Sequence, residues 1–236
     1  MIISILTLFP KLFTPFLNTS ILKRAKEKNL VQFNLINLRD FSLGAYKQVD
    51  DTPYGGGVGM ILRVDVVAEA ILRQKDKFPS HPKKRTILLD PRGKTYTQDI
   101  THGLITYDHL ILVSGHYESI DERILNFIDE SISIGDYVLT GGEIPCLVLA
   151  DSVTRLIPGV LKNPNATTEE SFGLKSDGKR LLSYPQYTRP QVYKGKKVPA
   201  ILLSGNHQKI NKWRKSQSLV LTKKLRPDLL KLTTNN

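Results

Sequence analysis

Short apolar runs in the first part of the chain alternate with stretches whose apolar residues recur every three or four positions, and few folds accommodate that alternation. Ile2 to Leu8, Val31 to Leu38, Thr86 to Leu89 and Leu110 to Val113 are bounded by turn residues and read as buried strands. Ser20 to Asn29, Val64 to Lys77, Ser119 to Ile128 and Glu143 to Ile157 read as helices with one apolar face. Strands separated by helices of this length form parallel βαβ units, so the spacing predicts an α/β fold around a parallel sheet. Ligands of such sheets bind beyond the carboxyl ends of the strands, which directs attention to the loops that follow them.

The alternation stops at Pro158-Gly159. Residues 161–180 are polar, carry Gly, Asn, Lys and the adjacent Glu169 and Glu170, and follow neither hydrophobic period; they read as an interdomain linker. Ser204 to Leu225 has Ile210, Trp213, Leu219 and Leu221 among many lysines, the pattern of a basic helix with one apolar side. The expected organisation is therefore an α/β domain over residues 1–160, a linker over 161–180 and a small, mainly helical domain over 181–236. Charge divides the same way. Residues 1–160 hold 18 Lys+Arg against 18 Asp+Glu, and residues 161–236 hold 16 against 4, so the whole net charge of +12 falls in the last part. A neutral front and a basic rear suggest that one part does chemistry while the other holds a polyanion.

Composition excludes several classes. Cys146 is the only cysteine, so no intrachain disulfide, CxxC redox pair or cysteine zinc site can be written. The five histidines lack metal-ligand spacing, and no metal site is expected. No apolar run approaches the ~20 residues that span a bilayer, and Met1 to Phe9 has neither a basic start nor a cleavage signal; a soluble, cytoplasmic protein is expected.

Three glycine-rich segments are candidates for chemistry. Asp50 to Gly59 is the densest, but it is neither a P-loop nor a dinucleotide fingerprint, and a plain loop explains it as well as a ligand cradle does. Ser114-Gly115-His116-Tyr117-Glu118 follows the strand Leu110 to Val113, and Thr140-Gly141-Gly142-Glu143 follows a strand read over Ile132 to Leu139. Both would emerge on one rim, offering backbone groups, the rings of Tyr117 or Tyr137, and a Glu118 carboxylate suited to ribose hydroxyls. The competing reading is that the glycines close tight turns and that Glu118 favours the first turn of the next helix. Arg155 falls near the end of the helix Glu143 to Ile157, where the helix dipole already favours a cation. In the rear part, Tyr184, Tyr187, Tyr193 and Trp213 interleave with Arg189, Lys212, Arg214 and Lys215, a mixture suited to stacking bases and neutralising phosphates.

Taken together, DDTPYGGGVGM (Asp50 to Met60), LILVSGHYESIDER (Leu110 to Arg123), SIGDYVLTGGEIP (Ser133 to Pro145), DSVTRLIPGVL (Asp151 to Leu161), YTRP (Tyr187 to Pro190) and LLSGNHQKINKWR (Leu202 to Arg214) resemble one family, the bacterial tRNA (guanine-N1)-methyltransferases of the TrmD type in the SPOUT class. The likeness runs from the first strand almost to the last helix, with order and spacing intact.

The resemblance implies methyl transfer from S-adenosylmethionine to N1 of the guanosine at position 37 of tRNA, next to the anticodon. It further implies a SPOUT-type parallel sheet with a trefoil knot, a basic helical domain gripping the anticodon stem-loop, a homodimer with the active site between subunits, and a possible Mg2+ requirement. By motif the donor would lie against Leu88, Leu89, Gly115, Tyr117, Glu118, Ile134, Gly135, Tyr137, Leu139, Gly141, Gly142 and Pro145. Asp50, Asp51 and Tyr54 match a loop near the target base. Arg155 matches an arginine that would stabilise charge growing on guanine O6. The general base of the family is an aspartate before Ser-Phe; here Glu170 stands before Ser171 and Phe172, with Glu169 beside it. Glutamate has a similar reference pKa, ~4.3 against ~3.9, and a longer arm. His116 and Ser119 also depart from the arginine and glycine common in the family segment. Two other readings fit the same residues: an enzyme of this fold methylating another RNA position, and a non-catalytic RNA-binding protein that uses the pocket as a sensor.

Overall fold

The computed structural model describes residues 1–42, 47–168, 170–173 and 180–230, and the chain divides into two compact units, Met1–Lys162 and Asn163–Asn236. The first runs β1 (Ile2–Thr7), α1 (Pro10–Leu17), α2 (Ser20–Glu27), β2 (Gln32–Asn37), β3 (Asp50–Asp51), β4 (Ile61–Leu62), α3 (Val64–Lys77), β5 (Lys84–Thr95), α4 (Gln98–Leu104), β6 (His109–Ser114), β7 (Ser119–Ile120), β8 (Glu130–Ser133) and α5 (Glu143–Thr154). Five strands form one sheet in the order β2-β1-β6-β5-β8, and every neighbouring pair is parallel. Ile2 stands opposite Gln32 on one side and His109 on the other.

All six residues of β1 and of β6 are buried, as expected for central parallel strands covered on both faces. Alternate residues supply the two cores. Leu110 and Leu112 join Ile3, Ile5, Phe13 of α1, Leu22 of α2 and Leu149 of α5 on one face. Ile111 and Val113 join Leu6 and the α3 residues Val66, Val67 and Ile71 on the other. Each fully buried aliphatic chain stabilises by roughly 1.5–3 kcal/mol, so the apolar strand centres decide the layering.

The structure corrects the sequence reading in several places. Ser119 to Ile128 is not a helix: Ser119 and Ile120 pair with Ile61 and Leu62, and a short 3-10 turn follows at Glu122–Asn126. The Asp121 N–H bonds the Leu62 carbonyl at 3.0 Å, and its side chain accepts from the Arg123 N–H at 3.0 Å, which starts the turn. Ile120 and Ile124 are still buried, so the four-residue spacing is real but is met by a strand end and a turn. Glu118 consequently opens no helix. The strand expected over Ile132 to Leu139 stops at Ser133, and Gly135 with φ 150° turns the chain away. The helix expected to reach Ile157 ends at Thr154. Strand β5 is longer than Thr86 to Leu89: after an irregularity between Leu89 and Lys94 it resumes beside β8, and Asp90 to Gly93 bow out between.

In the second unit a two-residue hairpin, β9 (Val192–Tyr193) and β10 (Lys196–Lys197), is closed by Lys194 and Gly195, both at positive φ. Helix α6 (His207–Leu225) starts where the Asn206 side chain accepts the Lys209 N–H at 3.1 Å. Residues 163–180 belong to this unit.

Candidate functional site

Beyond the carboxyl ends of β5, β6 and β8, three loops enclose a cleft with about 740 Å³ of free space counted out to its open mouth. The loop after β8 folds back onto the loop after β6: the Gly142 N–H donates to the Gly115 carbonyl at 2.7 Å, and Gly141 bridges His116. A side chain at Gly142 would put its Cβ 2.8 Å from the Gly115 nitrogen and 2.9 Å from the Ser114 Cα, so only glycine lets these backbones meet. Every residue that the resemblance assigns to the donor lines this cleft, from Leu88 and Leu89 on β5, through Gly115, Tyr117 and Glu118, to Ile134, Gly135, Tyr137, Leu139, Gly141, Gly142 and Pro145. The Leu, Ile and Pro side chains make apolar walls and the glycines leave main-chain groups within reach. A nucleoside, with a flat base for the apolar walls and hydroxyls for the polar groups, fits that combination.

Two neighbours were not singled out from sequence. Asp90 and Pro91 also line the cleft; their place directly after a buried strand was the available signal. Burial favours protonation of Asp90, but the fork of hydrogen bonds from Arg92, at 3.0 and 3.1 Å, prevails and holds the carboxyl below its ordinary value. Arg92 also reaches Glu122 at 2.9 Å. Glu143, buried in the first turn of α5, accepts the Thr7 hydroxyl at 3.0 Å and lies 3.7 Å from His116 Nδ1. His116 is wedged between Phe9 and Tyr117, with ring centroids 4.9 and 5.1 Å away.

The glycine-dense loop abuts the cleft. Gly59, at φ 84°, lies so close to Glu118 that an added Cβ would stand 2.5 Å from its Cγ, and the Glu118 N–H donates to the Met60 carbonyl at 3.2 Å. A second groove, lined by Asp51, Tyr54, Arg63 and Arg123, shares Ser119 and Ile120 with the cleft. Tyr54 is 99% exposed there, while Asp50 is tied into the ladder opposite Leu62.

Arg155 is the C-terminal cap of α5, whose first turn lies at the cleft. Twelve residues of helix span roughly 18 Å. One chain therefore does not gather Arg155 with the donor residues. Beside it, α1 and α5 pack on one another and leave Phe9, Leu12, Phe16, Ile144 and Val148 exposed.

In the second unit Glu170 opens a tight turn in which the Gly173 N–H donates to the Glu170 carbonyl at 3.2 Å and Phe172 takes φ 65°. Glu169 lies outside the described residues. Arg189 precedes a cis proline, Pro190, and is exposed, as are Lys212 and Lys215. Arg214 is turned inward instead, its guanidinium 4.9 Å from the Tyr184 ring, and Tyr187 and Trp213 face each other at 6.4 Å. Cys146, on the buried side of α5, has its thiol pKa pushed well up by burial. Among the described residues no group of three or more His, Cys, Asp or Glu is placed to hold a metal ion, and no helix is long and apolar enough to cross a membrane.

Comparison with known proteins agrees with this architecture. The chain is 48% identical over 229 residues to a tRNA (guanine-N(1)-)-methyltransferase of Clostridium botulinum (strain Kyoto / Type A2), covering 97% of this chain and 91% of that one. It is 49% identical over 228 residues to the enzyme of the same name from Syntrophomonas wolfei, covering 97% and 89%. The Moorella thermoacetica enzyme of that name is 46% identical over 231 residues, with 97% and 89% covered. The model of one family, described as tRNA (Guanine-1)-methyltransferase TrmD, matches residues 1–232, and with that match along nearly its whole length the chain belongs to that family.

Proposed function

We propose that the protein methylates N1 of the guanosine at position 37 of tRNA, next to the anticodon, with S-adenosylmethionine as methyl donor. The observation that carries this reading is the convergence, in one cleft of a chain of this family, of every residue the sequence assigns to the donor. Main-chain groups of Gly115, Gly141 and Gly142 would hold the adenine, and Glu118 the ribose hydroxyls. The ionised Asp90 at the cleft suits a cationic ligand. When bound, the sulfonium supplies the methyl as an electrophile.

The protein's own groups then have two tasks. The Glu170 carboxylate takes the proton from guanine N1, and the Arg155 guanidinium stabilises the charge that develops on O6. Asp50, Asp51 and Tyr54 face the extruded base, while Lys212 and Lys215, with Arg189, neutralise the phosphates of the anticodon stem-loop. We assign donor binding to residues 1–160, closure over the base to 161–180 and the grip on tRNA to 181–236. A trefoil knot is supported by the return of the chain after β8 onto the loop after β6, and a homodimer by the apolar surface of α1 and α5.

Single-turnover transfer to a tRNA transcript with guanosine at position 37 tests the reading, because it isolates chemistry from product release. Wild type should methylate that transcript and not one with adenosine at the position, and Glu170→Gln should bind both ligands and transfer no methyl. Equal transfer to both transcripts would refute the assigned position.

A further inference from the structure

Two hydroxyls of α6 are buried: Ser218 is 5% exposed and Thr222 is fully buried. Four residues apart, they lie on one helix face. Together they grip a single residue of the extended chain that precedes the hairpin. The Leu182 N–H donates to Thr222 Oγ1 at 2.9 Å, and Ser218 Oγ donates to the Leu182 carbonyl. The Thr222 hydroxyl in turn donates to the Ser218 carbonyl at 2.7 Å, so its donor and one acceptor site are both used.

The chain held in this way holds a second one. The Ser183 N–H, adjacent to Leu182, donates to Ser171 Oγ at 3.0 Å, and the two serine hydroxyls meet at 3.1 Å. The Phe172 N–H donates to the Leu181 carbonyl at 2.9 Å, and Arg180 returns a bond to the Phe172 carbonyl. The Arg226 guanidinium, the residue after α6, covers the Phe172 ring at 5.8 Å. Ser171 and Phe172 directly follow Glu170. A continuous set of hydrogen bonds thus runs from the inner face of the basic helix to the turn that carries the carboxylate.

We infer that Ser218 and Thr222 are positioning residues of the reaction, which fix the Glu170 turn to the buried side of the same helix that carries Lys212 and Lys215. The inference rests on the proposed role of Glu170 as base. One rigid helix then joins RNA binding to base placement: wherever the phosphates set α6, the carboxylate follows. Rotation of either peptide at Leu182 would shift Ser171 and the residue before it, and a displacement near 1 Å is enough to lower a rate about a hundredfold.

The experiment uses the full-length enzyme with Thr222→Val, which keeps the shape and removes the hydroxyl, together with Ser218→Ala, Thr222→Ser, Glu170→Gln and the double variant Thr222→Val/Glu170→Gln. Single-turnover rate at saturating donor and tRNA is read beside tRNA affinity and the thermal midpoint. Thr222→Val and Ser218→Ala should lower the rate roughly ten- to a hundredfold with tRNA affinity unchanged. Thr222→Ser should regain most of it, and Thr222→Val should add nothing in the Glu170→Gln background. Wild-type rate in Glu170→Gln refutes the base assignment, and the anchor with it, since the anchor acts through that carboxylate. An inactive Glu170→Gln beside a fully active Thr222→Val refutes the anchor alone. So does a Thr222→Val enzyme whose defect is confined to tRNA affinity, or one that Thr222→Ser fails to rescue.

Discussion

Gly142→Ala tests whether main-chain packing sets the proposed donor cleft. The added Cβ would stand 2.8 Å from the Gly115 nitrogen and 2.9 Å from the Ser114 Cα, both main-chain atoms that no rotamer change can move. Ordinary contact begins at 3.4 Å, so the turn must retreat by about 0.6 Å, from 2.8 to 3.4 Å. A retreat of that size stretches the Gly142 N–H bond to the Gly115 carbonyl from 2.7 Å to about 3.3 Å, outside the usual range. Loss of that bond costs about 0.5–1.5 kcal/mol net, and the main-chain groups on either side of the cleft lose their spacing. Donor affinity measured by calorimetry should fall about tenfold or more, one factor of ten being about 1.4 kcal/mol. The thermal midpoint should fall by about 2–4 °C per kcal/mol lost. Gly115→Ala is the control: its Cβ would meet nothing nearer than 3.8 Å, so the midpoint should hold. Wild-type donor affinity and midpoint in Gly142→Ala would refute the reasoning.

Further outcomes follow from other parts of the molecule. His109 is fully buried with Nε2 2.8 Å from the Ser4 hydroxyl, and burial, then the nearby Lys84 and His81, push its pKa down to about 4. The unfolded chain, titrating near 6.5, takes the proton first, so stability should fall as pH drops from about 6.5 towards 4, by up to ~3 kcal/mol. Urea midpoints across that range should decline less steeply in His109→Gln, and parallel curves would refute the assignment. Binding of tRNA should weaken steeply with salt, and Lys212→Ala or Lys215→Ala should each lower the slope of log K against log salt by about one; an unchanged slope would remove that lysine from the phosphate contacts. Mixing Arg155→Ala and Gly142→Ala enzymes, assayed at a donor concentration too low to load the altered cleft, should restore roughly a quarter of wild-type transfer, from mixed dimers with one intact site; no recovery would mean that both residues serve the same subunit's site.

The layered sheet was legible because its central strands are buried on both faces and therefore read as unbroken apolar runs, and α3 was found to the residue. Periodicity failed where a different geometry buries the same residues: Ile120 and Ile124 are four apart, yet pairing with β4 makes a strand of the first and a 3-10 turn of the second. Helix α1 was not expected; it holds Pro10 and Pro15, yet a proline at the first helical position lacks only an N–H that would be unpaired anyway. The cleft was legible through its glycines, whose turns follow strands. The ionised state of Asp90 was not, since it depends on the fork of hydrogen bonds from Arg92, which no local pattern encodes. Nor was the inward turn of Arg214, which reads as one more cation in a basic run.

Separation along α5 carries the last step. The helix has the proposed donor cleft at its first turn and Arg155 at its end, roughly 18 Å away, so within one chain the two cannot act on the same base. A two-fold axis through the middle of α5 removes the difficulty. Two such helices running antiparallel bring each Arg155 beside the first turn of the other, and they do so twice, since an isologous interface repeats every contact. The face needed for that contact is available: Ile144 and Val148, four residues apart, are exposed on α5, and Phe9, Leu12 and Phe16 extend the apolar surface over α1. In the proposed dimer the exposed apolar surface and the misplaced arginine therefore have a single explanation, and a substitution that keeps the chain monomeric, such as Val148→Asp, should abolish transfer while leaving Gly142 and its neighbours able to bind the donor.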